Sequence, residues 1–327
     1  MTVDKASKTD RNYNNYTMDH INGLIAAPFT PFHQDGKINL EIIPDYVDKL
    51  VSDGLKGIFV CGSNGEGPNM TIEERMLVAA AFKNATKDRL KLLIHVGHTS
   101  IAESRKLAIH AQEIGADAIS SVAAFYFKPT SVNNLVTAMR EIAEAAPQLP
   151  FYYYHIPHLT GVGMDMIEFL NQSESCIPNL AGIKYTATTL WEYQLCLNHA
   201  ARKYDILYGL DEMLLPALSV GGRGAIGSTY TFAAPLYNDI YNTFMKGDLE
   251  GSRIKMFYIV KMIKALLAFP PIPAQKSIMK KIGFDLGPCR QPLSTLSKED
   301  ERSLYRSLDA LNFFEKLSMQ HDSIGIS

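Results

Sequence analysis

Two hydrophobic periods alternate along the chain. Short apolar runs rich in β-branched and aromatic residues occur at 22–27 (NGLIAA), 57–61 (GIFVC), 91–96 (KLLIHV), 118–123 (AISSVA), 150–155 (PFYYYH), 180–184 (LAGIK), 205–208 (DILY) and 224–227 (GAIG). Between them lie longer stretches, near 40–53, 71–87, 100–114, 131–146, 165–174, 188–203, 211–220 and 235–246, whose apolar residues recur every three to four positions. The first pattern predicts buried strands and the second amphipathic helices.

Eight strand–helix pairs in about 225 residues match a closed α/β ring, a (β/α)8 TIM barrel. A doubly wound sheet would carry a GxGxxG after its first strand, and none is present. Thr71 with Glu74, and Ser100 with Glu103, predict helix starts by the capping-box pattern. Gly54 and Gly115 stand where helices should stop. The sequence predicts a flexible polar tail over 1–20, the barrel over 21–246, and an added helical extension over 247–320. That extension reads as helices 250–268, 274–283 and 298–317, with AFPPIP (268–273) as a rigid break.

Composition narrows the function. At 327 residues and 46% hydrophobic, the chain can bury a large core. Its 32 Lys+Arg and 34 Asp+Glu are interspersed and give a net charge of −2, so neither nucleic acid nor a membrane surface is an expected partner. Small molecules and copies of itself fit better. The late apolar stretch 256–269 is cut by Lys261 and Lys264, which argues against a membrane span. Cys61, Cys176, Cys196 and Cys289 are widely spaced, predicting reduced thiols without a zinc knot or disulfide frame. With no apolar stretch near the start, a cytoplasmic location is expected.

In such a barrel the strand C-termini share one rim, so residues distant in sequence converge there. Past the second strand comes GSNGEG (62–67); the fifth ends at YYYHIP, the sixth at Lys184; the seventh leads into YGLDE and the eighth into GAIGSTY. Lys184 is the sharpest of these. Desolvation lowers the pKa of a lysine, and a neutral amine attacks a carbonyl to give a Schiff base that draws electrons from the adjacent carbon. The competing reading packs its stem in the barrel and pairs its head with Glu66 or Asp211.

Tyr154 is the candidate proton carrier. Tyr152 shares its strand face and competes for the role, while Tyr153 should point at the helices. The loop around Ser63 offers backbone N–H groups and a hydroxyl to a small carboxylate, or is an ordinary tight turn. Asp211 and Glu212 can accept from substrate hydroxyls, or complement a helix dipole. His95 with His98, and His155 with His158, lack a third ligand and make poor chelates, so no metal is expected.

With these residues assembled, the chain resembles the N-acetylneuraminate lyase and dihydrodipicolinate synthase superfamily of Schiff-base aldolases over about residues 21 to 317. GSNGE is similar to its G-[ST]-[ST]-G-E pyruvate loop, YHIPHLTG to its tyrosine strand, GIKYT to its Schiff-base strand, and GLDE…GAIGSTY to its sugar-binding segment. The resemblance implies that Lys184 forms the Schiff base with pyruvate, Tyr154 handles the proton, and Ser63 with the backbone of Asn64 holds the pyruvate carboxylate. It assigns Thr186, Gly209, Asp211, Glu212 and Ser228 to the hydroxylated tail of a sugar. Tyr126, in AAFYFKP, matches a tyrosine lent to a neighbouring subunit, and the implied assembly is a homotetramer.

The expected reaction is reversible cleavage of N-acetylneuraminate, a sialic acid, to N-acetylmannosamine and pyruvate, with no metal and no nucleotide. A sister aldolase for a 2-keto-3-deoxy sugar acid, or a non-catalytic keto-acid-binding barrel, are the alternatives. Two departures matter. Asn64 replaces the second hydroxyl residue of the pyruvate loop. After the tyrosine strand, His158 and Leu159 stand where a dicarboxylate-binding branch would place an arginine.

Overall fold

A computed structural model describes residues 20–323. Most of the stretch read above as a polar tail, residues 1–19, lies outside the described residues. The elements run β1 Gly23–Ala26, α1 Ile43–Ser52, β2 Gly57–Val60, α2 Ile72–Thr86, β3 Lys91–His95, α3 Ile101–Glu113, β4 Ala118–Val122, α4 Val132–Ala143 and β5 Phe151–His155. They continue α5 Pro157–Thr160, α6 Met166–Ser173, β6 Leu180–Tyr185, α7 Leu190–Asn198, β7 Asp205–Tyr208, α8 Leu214–Ser219, β8 Gly224–Gly227 and α9 Tyr230–Met245. After them come α10 Leu249–Leu266, α11 Pro271–Lys281, α12 Lys298–Asp309 and α13 Phe313–Ser323. All eight strands pair in parallel with their sequence neighbours, and β1 closes on β8, making the (β/α)8 barrel.

Side-chain alternation divides the core in two. Inside the barrel lie Ile25, Phe59, Leu93, Tyr152, Tyr154 and Leu207. Between barrel and helices lies a larger apolar layer that includes Tyr153, whose ring meets Phe169 at 4.7 Å. The strand faces are therefore those the tyrosine alternation predicts.

Several boundaries differ from expectation for local reasons. The Thr71–Glu74 capping box is complete, whereas Ser100 accepts from Glu103 N–H without the reciprocal bond, because the Glu103 carboxylate pairs with Lys106. The helix expected at 211–220 opens as a 3-10 turn, Asp211–Met213. α7 stops at Asn198, since Ala200 and Ala201 are left-handed. α9 begins five residues before Pro235, which it accommodates with a kink at Ala233. The 268–273 prolines start a helix instead of preceding one, because proline at the first turn forfeits no hydrogen bond. The stretch 298–317 is two helices, broken at Asn312 with φ 53°.

Around the barrel, α10 packs on α9, as does α13, with Phe232 and Phe313 rings at 6.1 Å. Among the described residues, no single helix is long and apolar enough to cross a membrane. The four cysteines are unpaired, Cys61 and Cys196 buried and the other two half-buried.

Candidate active site

Strand β6 is irregular, and that irregularity aims the lysine. Phe151 pairs with Leu180 but Tyr152 pairs with Gly182, so one extra residue sits in β6. Ala181 lies in the inner cluster. Strict alternation from there would turn Lys184 outward; the bulge at Gly182 resets the phase and sends it in. Only glycine fits at 182, because a Cβ there would stand 1.7 Å from the Asp205 carbonyl oxygen.

The amine of Lys184 therefore ends inside the barrel, 4.0 Å from the ring centroids of both Phe59 and Tyr154. It is 4% exposed. Neither carboxylate suggested by the competing reading pairs with it: Glu66 bonds Lys276, and Asp211 bonds residues 228 and 229. Burial drives the Lys184 pKa down to about 7, against a smaller upward pull from Asp211. The two ring faces favour the cation only modestly. Near neutral pH a large share of this amine is uncharged and nucleophilic.

Tyr154 is the register partner of Lys184 across β5 and β6. Its phenol is pushed up to about 12 by burial, with the Ser63 and Thr186 hydroxyls pulling it back. Thr186 is buried beside it. Tyr152, its rival, is spent elsewhere: its hydroxyl donates to Asp205 at 2.9 Å on the barrel floor. Tyr154 alone of the three tyrosines faces the open rim.

The 62–67 loop is held in a strained shape. Cys61 and Glu66 are left-handed, at φ 60° and 52°. Gly67 N–H donates to Gly62 O at 3.1 Å, and a Cβ on Gly67 would lie 2.1 Å from Cys61 O. Ser63 and Asn64 form its half-buried tip, and their N–H groups meet no acceptor among the described residues. That leaves two backbone donors and a hydroxyl beside Tyr154, groups suited to an anion.

Opposite this loop, Asp211 is buried and accepts at one oxygen from Thr229 N–H and Oγ1, both at 2.7 Å, and from Ser228 at 3.3 Å. Its pKa is raised to about 6 by burial. Asp211 thus organises the turn after β8, while Glu212, Gly209 and Ser228 remain half-buried on the same rim. Gly209 abuts Thr186, whose Oγ1 would sit 1.9 Å from an added Cβ. The structure brings together Lys184, Tyr154, Ser63 and Thr186; it leaves Tyr126 apart, 78% exposed in the loop after β4.

Arg75 escaped the sequence reading, and His95 entered it only as a poor chelate partner of His98. His95 lies inside the barrel with its ring 5.9 Å from that of Tyr154, and burial, Arg75 and Lys184 together hold it neutral. Its parity with Leu93 was the available signal. Arg75 is fully buried and donates to the carbonyls of Gly97 at 2.9 Å and His95 at 2.6 Å, with no carboxylate partner among the described residues. A basic residue in the first turns of an amphipathic helix gave no hint of this. No group of three or more His, Cys, Asp or Glu among the described residues could hold a metal ion.

This site sits in a chain with close relatives. The Dihydrodipicolinate synthetase family matches residues 20–311. The N-acetylneuraminate lyase of Rattus norvegicus is 40% identical over 299 residues, covering 90% of this chain and 93% of the relative. The solved N-acetylneuraminate lyase (sialic acid aldolase) from Aliivibrio salmonicida is 40% identical, covers 90% of this chain and 98% of its own, and superposes with a TM-score of 0.88. A Ruminococcus gnavus sialic acid aldolase, solved as a catalytic lysine mutant, is 26% identical with a TM-score of 0.86, covering 90% of this chain and 97% of its own.

Proposed function

The chain belongs to the Dihydrodipicolinate synthetase family, and on that premise we propose how its rim residues carry out an aldol cleavage through a Schiff base on Lys184. The chain is a class I aldolase that reversibly cleaves N-acetylneuraminate to N-acetylmannosamine and pyruvate. The observation carrying the mechanism is the buried Lys184 amine, paired with no carboxylate among the described residues and brought by burial to a pKa of about 7.

The neutral amine adds to the ketone of the open-chain sugar acid and water leaves, giving an iminium. Tyr154 gives its phenolic proton to the departing water and then, as the phenolate beside the iminium, takes the proton of the hydroxyl two carbons beyond the imine carbon. The bond between that hydroxyl carbon and the carbon next to the imine breaks, and its electrons move into the iminium to give an enamine. The aldehyde departs as N-acetylmannosamine. Protonation of the enamine and hydrolysis of the imine return pyruvate and the free amine.

Ser63 and the N–H groups at the loop tip hold the carboxylate, supported by their unspent donors beside Tyr154. Thr186, Gly209, Glu212 and Ser228 face the polyhydroxy tail, with Asp211 shaping their turn as well as contacting it. Tyr126 completes the proton path of a neighbouring copy in a homotetramer, a reading supported by its exposure.

Borohydride reduction in the presence of pyruvate tests the mechanism. It should leave a stable three-carbon adduct on the peptide containing Lys184 and on no other. Lys184→Ala should lose both the adduct and turnover; an enzyme that cleaves substrate yet never traps pyruvate on this residue refutes the reading.

A further inference from the structure

Resting on the placement of the pyruvate carboxylate at the 62–67 loop, we propose that Lys276, on α11 outside the barrel, is a positioning residue that fixes that loop through Glu66. The two residues are 210 positions apart, and both are buried. Glu66 Oε1 accepts from Lys276 Nζ at 3.2 Å, and Oε2 accepts from the Arg290 backbone N–H at 2.9 Å. Lys276 spends its other protons on Thr30 O at 3.1 Å and Pro288 O at 2.8 Å. Thr30 Oγ1 in turn donates to Gly65 O at 2.6 Å. Every donor of the ammonium is used, and two of its partners touch the loop.

A second tie secures the far side of the loop. Arg290 bonds both oxygens of Glu74, the capping-box acid of α2, and reaches Asn69 O at 3.2 Å. Loop and following helix are thus anchored to the same extension. A buried ion pair is poor value for stability beside an apolar contact of equal size, but it admits one geometry. One geometry is what the loop requires, since its two left-handed non-glycine residues would relax if released.

The experiment follows initial rates of the reverse condensation for wild type, Lys276→Met, Glu66→Gln/Lys276→Met and Lys280→Met. Lys280 pairs with Asp285 on the exposed flank of the same helix and serves as control. Lys276→Met should lower kcat/KM for pyruvate on the order of a hundredfold, chiefly by raising the pyruvate KM, the scale of a small misplacement at a reacting centre. The KM for N-acetylmannosamine at saturating pyruvate should stay within about twofold. The double variant, with a neutral pair, should recover part of the loss, and Lys280→Met should match wild type.

If Lys276→Met does not fold, the double variant decides, and its pyruvate KM should still stand several-fold above wild type. A wild-type pyruvate KM in whichever of the two folds overturns the proposal, as does an equal loss for both substrates. Borohydride trapping separates this from the underlying mechanism. No adduct in wild type removes the Schiff base, whereas a normal adduct with unchanged pyruvate KM in the variants removes only the clamp.

Discussion

For Lys184 three effects compete: loss of water favours the free amine, while Asp211 and the two ring faces favour the ammonium. Burial wins, because desolvation of a cation outweighs one distant carboxylate and a cation–π contact. The kcat/KM profile should therefore rise with pH through about 7, as the amine loses its proton. In the free enzyme Tyr154, at about 12, is neutral across this range and adds no break to the profile. Because Asp211 holds the proton on Lys184, Asp211→Asn should move the acid limb to lower pH, which a pH–rate series would record.

The same shift acts on stability with a definite sign. Between about 7 and the ordinary 10.5, the unfolded chain keeps a proton on Lys184 that the folded chain releases. The folded state thus gains stability as pH rises through that window, and bears the full penalty below it. Lys184→Met should raise the melting temperature by a few degrees at pH 7 or below, with the gain vanishing toward pH 10. Tyr154→Phe should slow cleavage roughly 10²- to 10⁴-fold while pyruvate remains trappable on Lys184, because a proton carrier is lost but the nucleophile is not.

At the scale of elements, the bulge in β6 links strand pairing to chemistry. Gly182→Ala would drive a methyl into the Asp205 carbonyl, prising β6 from β7 and turning Lys184 away. A loss of about 3 kcal/mol in denaturant unfolding, with cleavage falling below detection in whatever folds, is the expected outcome.

This bulge also marks where sequence legibility ends. The eight strands and the rim were readable because apolar runs and helical periods depend on neighbouring residues. So were Lys184 and Tyr154, each at a strand end. The bulge depends on which strand lies alongside, and Gly182 is its only mark within LAGIK. The Glu66–Lys276 clamp was invisible for the same reason, since its halves meet only after the extension wraps the barrel. Pro235 and the 268–273 prolines misled because a proline can begin or kink a helix as well as end one.

At the scale of the whole molecule, the loop after β4 displays Phe125, Tyr126 and Phe127 at 38%, 78% and 87% exposure. The Tyr126 and Phe127 rings pack edge to face at 5.0 Å and so hold a defined shape. Three aromatic residues kept in water have an unfavourable solvation that burial against another copy would relieve. If that copy receives Tyr126 at its own Lys184 site, catalysis divides between subunits in a way single variants cannot reveal. Lys184→Ala subunits still carry a normal Tyr126, and Tyr126→Phe subunits still carry a normal Lys184. Co-expressed in equal amounts and paired at random, they form hybrid dimers in which one site regains both groups, roughly a quarter of all sites. Activity well above the sum of the two separate variants would show the tyrosine crossing the interface. Simple additivity would place Tyr126 outside the proton path, and the aromatic loop would then serve assembly alone.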